Sequence, residues 1–93
     1  MKQPKEKVPF PNRLTLYRRR CGYTLEDAAT IMDIPADTVN KWEKGILAPG
    51  ISDYFGLAHL YKVEPLKLYA PYVKQLEVAL KKRVKELLGN RKR

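Results

Sequence analysis

The stretch from Thr24 to Gly45 constrains the fold more than any other part of the chain. Thr24 suits the cap of a helix, because its hydroxyl oxygen accepts a free amide of the first turn. Asp27, three residues on, is a short version of the capping-box acid. A helix is therefore predicted over about Leu25 to Met32, with Asp33-Ile34 as the turn that follows. Pro35 fits the first turn of a second helix, where no amide donor is needed. That helix is expected over about Pro35 to Lys44, and Gly45 can take the left-handed conformation that ends it. Ala29, Ile31, Ile34, Val39 and Trp42 fall where the two helices would face each other and a shared core. Thr38, Asn40, Lys41 and Lys44 are left pointing outward.

The flanking segments read as further helices. Asn12 is a credible cap for one over about Arg13 to Cys21, with Leu14, Tyr17 and the stem of Arg18 inward and Gly22 as its stop. Ile46 to Ile51 is a loop, and Ser52 is placed to cap a fourth helix. There Tyr54, Leu57, Ala58 and Tyr61 recur at steps of three and four, a core-facing stripe. A brief helix follows from Pro65 to Tyr69. Pro71 then opens a sixth, which carries Val73, Leu76, Leu80, Val84 and Leu87 on one face and is expected to stop at Gly89. No stretch reads as a strand. The expected class is all-α: a compact five-helix domain over 12–69 and a C-terminal amphipathic helix over 71–89. A flexible basic arm over 1–11 would precede them, and a basic tail over 90–93 would follow.

Ninety-three residues suffice for one domain with a thin stability margin, which a dimer interface would widen. The apolar runs are only a few residues long, so nothing is expected to span a membrane, and no signal-peptide segment follows the N-terminal lysines. Cys21 is the single cysteine and His59 the single histidine, so no metal-ligand set and no Cys–His pair is expected. No cofactor is implied. A reducing, cytoplasmic setting is the simplest expectation.

The net charge of +9 favours polyanionic partners, and its distribution says more. Residues 1–23 carry seven basic side chains against Glu6, giving +6. Residues 24–70 set Lys41, Lys44, Lys62 and Lys67 against seven acids, giving −3. Residues 71–93 return to +6, with eight basic side chains against Glu77 and Glu86. Positive charge thus flanks a mildly acidic helix pair. A short helix held at a fixed angle by its neighbour, with small polar side chains outward, is the geometry that enters the major groove of DNA.

The joint pattern resembles the phage repressor–Cro family of helix-turn-helix domains over about Leu14 to Tyr69. The resemblance rests on Leu14 with Tyr17-Arg18, Gly22-Tyr23-Thr24, Ala29 with Ile34, Thr38-Val39, Trp42-Glu43-x-Gly45 and Pro49. It continues through Leu57-Ala58-x-x-Tyr61-x-Val63 to Leu66 and Leu68-Tyr69. Two positions depart from the family pattern. Leu25 stands where a phosphate-binding Gln is usual, and Ala28 stands where Leu is common.

The resemblance implies base contacts from Ala36, Asp37, Thr38 and Lys41, with Asn40 at the margin. Lys41 can donate to guanine, and Ala36 can meet a thymine methyl. Asp37 either accepts from cytosine or serves the positive end of the helix dipole. Thr24 and Lys44 would hold the DNA backbone, with Arg13 or Arg20 as a further phosphate partner. Arg18 is assigned by the family to a structural bond with Glu43. The basic arm (Lys2, Lys5, Lys7, Arg13) either tracks DNA or only aids solubility.

The sixth helix lies outside the resemblance. Its stripe of Val73, Leu76, Leu80, Val84 and Leu87 either pairs with a second subunit or folds back on the first and fifth helices. A membrane-surface role is disfavoured because the helix lacks Trp and Phe. The expected function is that of a sequence-specific regulator of double-stranded DNA, a small repressor, homodimeric through this helix and not an enzyme. The alternatives are a protein-interaction module of antitoxin or adaptor type on the same fold, and a non-specific nucleic-acid binder.

Overall fold

The computed structural model describes residues 8–91, and these are helical throughout apart from turns and connecting loops. Six helices follow in order: α1 (Leu14–Arg20), α2 (Leu25–Met32), α3 (Ala36–Glu43), α4 (Ile51–Leu60), α5 (Pro65–Leu68) and α6 (Ala70–Arg91). The all-α class expected from the sequence is what the chain adopts.

The ends of the helices show the local chemistry. Thr24 caps α2 in a full capping box: its hydroxyl accepts from the Asp27 amide at 3.0 Å, and its own amide donates to Asp27 Oδ2 at 2.9 Å. At the other end Asp33 takes a left-handed conformation (φ 59°), so that the Ile34 amide can donate back to the Ala29 carbonyl at 3.0 Å. An L-residue tolerates this region poorly, and Asp tolerates it better than most. Asn12 serves α1 from one position earlier than a cap: its Oδ1 accepts from the Leu14 amide, while its Nδ2 donates to the carbonyls of Phe10 and Trp42. One amide side chain therefore ties the entry of α1 to the exit of α3.

Three expected details are corrected. Helix α4 begins at Ile51 with Gly50 in the cap position, so Ser52 lies inside the first turn and caps nothing. Gly89 does not stop α6, which continues to Arg91. A glycine inside a helix costs about 1 kcal/mol relative to alanine but does not by itself reverse the chain. Ile31 is 53% exposed rather than in the core. The inward face of α2 is set by Ala28 and Ala29, with Leu25 and Met32 beside them, and Ile31 falls on the far side.

The core gathers Leu14, Ala29, Val39, Trp42, Leu57, Ala58, Tyr61, Leu68 and Tyr69 from α1 to α5 and their junctions. Ala28 is fully buried, and the smaller side chain lets α2 lie close to its neighbours. Of the segment expected as a basic arm, residues 1–7 lie outside the described part. Phe10 is held: its amide donates to the Gly45 carbonyl at 3.0 Å, and its ring meets Tyr72 edge-on at 5.5 Å. Gly45 is required twice there, by its positive φ of 78° and because an added Cβ would stand 2.8 Å from the Phe10 carbonyl oxygen.

Helix α6 is different in kind. None of its residues is buried, and Leu76, Leu80, Val84 and Leu87 are between 42% and 53% exposed. It does not fold back on α1. The radius of gyration is 16.7 Å, where a compact chain of this length would measure about 12 Å, because α6 projects from the five-helix body.

Candidate nucleic-acid interface

Helix α3 rests on α2 and the core through Val39 and Trp42, which are 1% and 3% exposed. Its orientation is fixed further by one buried ion pair. Arg18 Nε donates to Glu43 Oε2 at 2.7 Å and Nη2 donates to Oε1 at 3.1 Å. The Thr15 hydroxyl donates to the same Oε1 at 2.8 Å, and Arg18 Nη1 donates to the Tyr23 carbonyl at 2.9 Å. The side chains of Arg18 and Glu43 are 10% and 7% exposed. Hydrogen bonding to Glu43 raises the Arg18 pKa above its ordinary value, against the opposing effect of burial. Every lobe of this cluster is used inside the fold, so Arg18 is a fixture that locks α1 and α3 together rather than a free cation.

With α3 so held, the candidate base-reading residues divide. Asp37 and Lys41 are exposed and pair one turn apart, Lys41 Nζ lying 3.2 Å from Asp37 Oδ2. Such an exposed pair is worth little to stability and is readily exchanged for another partner. Asn40 is half-buried to one side of that pair. Thr38 and Ala36 are half-buried at the edges of α3, and Ala36 also packs against the core.

The candidate backbone-holding residues surround this helix. Thr24 is exposed at the start of α2, and the bond it accepts from Asp27 leaves its hydroxyl hydrogen free to donate outward. Lys44 is exposed directly after α3. Arg13 is exposed, and its own amide anchors the start of α1 to the Leu68 carbonyl at 2.8 Å. Arg20 lies over the Tyr17 ring at 5.3 Å, a cation–π contact that steadies the guanidinium without spending its donors. Leu25, where a polar clamp is usual in the resembling family, is half-buried against the core. It can hold α2 in place but offers no donor.

The acidity of the central region is partly offset from outside it, because Arg18 of α1 neutralises Glu43. Sequence reasoning missed the parts of this site that act through others: Thr15 on Glu43 and the Asn12 bond to the Trp42 carbonyl. It also missed an apolar loop, for Ile46, Leu47 and Ile51 are 52%, 44% and 71% exposed beside the end of α3. Three aliphatic residues so close to Pro49-Gly50 were the signal available for it.

Among the described residues, no group of acidic, His or Cys side chains could hold a metal ion, and no helix is long and apolar enough to cross a membrane. A family model described as helix-turn-helix matches residues 14–68, which is more than half of the chain. No curated protein matches it.

Proposed function

The chain belongs to the helix-turn-helix family of phage repressor–Cro type, and we propose that it is a sequence-specific regulator that lays α3 in the major groove of double-stranded DNA as a homodimer. The observation that carries this reading is the way α3 is presented. A buried ion pair and Trp42 fix the helix from below, while Lys41, Asn40 and Asp37 remain outward. Lys41 would read a guanine, Thr38 and Ala36 would serve the edges of the groove, and Asp37 would release Lys41 and accept from a cytosine. Thr24, Lys44, Arg13 and Arg20 would contact phosphates, which fix register without reading sequence. The basic segments at both ends would add affinity that falls with salt.

Selection from random duplexes tests the reading. An enriched palindrome is the expected result, with Lys41→Ala relaxing the motif at one position per half-site. Absence of any enriched motif would turn the reading towards non-specific binding.

A second reading is favoured by one observation, the exposed aliphatic residues Ile46 and Leu47 after α3 and Ile51 at the start of α4. On this reading the same face docks a protein, as an antitoxin or adaptor would. Titration against duplex at several salt concentrations separates the two. Binding that weakens steeply with salt supports DNA, and no binding at low salt supports the protein partner.

A further inference from the structure

The apolar stripe of α6 is symmetric about its own centre. Val73, Leu76, Leu80, Val84 and Leu87 are spaced three, four, four and three residues apart, so the spacing reads the same in both directions from Leu80. We propose that α6 pairs with α6 of a second copy in antiparallel orientation, about a twofold axis at Leu80. This rests on the homodimer of the preceding section and specifies its geometry.

In that register Val73 meets Leu87 of the second copy, Leu76 meets Val84 and Leu80 meets Leu80. Each outer layer then combines a smaller with a larger side chain, as close packing favours. A parallel pair would stack Val on Val and Leu on Leu instead.

Charge decides more strongly between the two orientations. The first half of α6 holds Lys74 and Glu77, which cancel. The second half, to Arg91, holds Lys81, Lys82, Arg83, Lys85 and Arg91 against Glu86. A parallel pair would lay two such basic halves side by side. An antiparallel pair lays each beside a neutral half and also opposes the two helix dipoles.

The surface at the root of the helix agrees. A cavity of about 230 Å³ lined by Phe10, Pro49, Tyr54, Tyr69, Tyr72 and Val73 opens there, and Val73 is also the first residue of the stripe. Cavity and stripe are thus one apolar surface, and the partner's Leu87 would arrive at its rim. Residue 70 of one copy would stand level with residue 90 of the other, which sets the two helix roots about 30 Å apart along the pair.

Cysteine cross-linking of the full chain in a Cys21→Ser background tests the orientation. Leu76 and Val84 are 42% and 53% exposed, so Leu76→Cys and Val84→Cys leave the core intact, and circular dichroism checks this. Within one helix these positions are about 12 Å apart, too far for a disulfide. The expected result is a covalent dimer from the Leu76→Cys/Val84→Cys double variant under air oxidation, lost in either single variant. Cross-linking of Leu76→Cys alone would mean a parallel pair and overturn the proposal, as would the absence of cross-links in all three. Duplex binding measured on the same proteins keeps the two readings apart. A cross-linked dimer that ignores DNA sinks the regulator and leaves the antiparallel pair standing. Sequence-specific binding without the cross-link does the reverse.

Discussion

The body formed by α1 to α5 and the helix α6 carry similar kinds of apolar side chain and put them to opposite use. In the body, Leu14, Leu57 and Leu68 are at most 1% exposed; in α6, Leu80 and Leu87 are at least 50% exposed. The difference is one of geometry rather than composition. Five short helices can surround a common centre, whereas a 22-residue helix separated from α5 by Tyr69 alone runs past it. A side chain is stabilising where neighbours close around it, and α6 supplies its own neighbours to none of its residues. The body closes around a core of its own, and α6 leaves its apolar stripe exposed.

The comparison can be broken in several ways. The largest effect is expected at the ion pair that locks α1 to α3. Glu43→Ala leaves Arg18 buried without its partner, and removing one member of such a pair costs about 3–5 kcal/mol. Urea denaturation should show that loss with little change in slope. A loss below about 1 kcal/mol would mean the pair is wet and α3 is held by Trp42 alone.

Next come paired truncations in the two regions. Leu57→Ala should cost about 2–5 kcal/mol, because it opens a hole in the core. Leu80→Ala, measured by thermal melting at high dilution, should shift stability by no more than about 0.5 kcal/mol, as exposed sites do. If α6 pairs as proposed, the second variant should melt earlier than the parent at high protein concentration, where a pairing parent gains from association. Equal effects at every concentration would erase the distinction drawn between body and helix.

Alkaline pH should act on the body through two buried phenols. Burial pushes the hydroxyls of Tyr61 and Tyr69 up to about 12, from an ordinary value of 10.0, and neither has a hydrogen-bond partner among the described residues. The folded state holds the neutral phenols. Their contribution is therefore fully present below pH 10 and is lost as pH rises from 10 to 12. Tyrosinate absorbance should report these two rings ionising only with unfolding. Tyr61→Phe should flatten its share of the dependence at no cost in neutral buffer, because a buried hydroxyl without a partner carries a desolvation penalty that no hydrogen bond offsets.

A small gain rather than a loss is expected at the turn between α2 and α3. Asp33→Gly relieves the left-handed strain but loosens the unfolded chain, so stability should rise by less than about 1 kcal/mol. A fall would show that the Asp33 side chain supports the turn.

Much of the body was legible from local chemistry. The capping box of Thr24 and Asp27, the turn at Asp33, the stops at Gly22 and Gly45, and the stripe of Leu57, Ala58 and Tyr61 are each written within a few residues. Periodicity misplaced Ile31 because α2 is only eight residues long, and over two turns several faces fit an apolar pattern equally well. Ser52 and Gly89 misled for the same kind of reason. A capping residue or a glycine marks an end only where the backbone actually turns, and nothing local dictated that it should. At the interface, residue types suggested which side chains face DNA. The hydrogen bonds of Thr15 and Asn12 link residues about 30 positions apart and left no local trace.

The sequence by itself determined the helices, the family and the arrangement of charge, because caps, turns and apolar steps act over a few residues. Only the tertiary structure decided what became of the apolar stripe on α6. The same five residues could have folded back or stood free, and the outcome depended on the direction in which α6 leaves α5. At that junction the Tyr72 ring packs edge-on against Phe10, a contact between residues far apart in the sequence that no local pattern records.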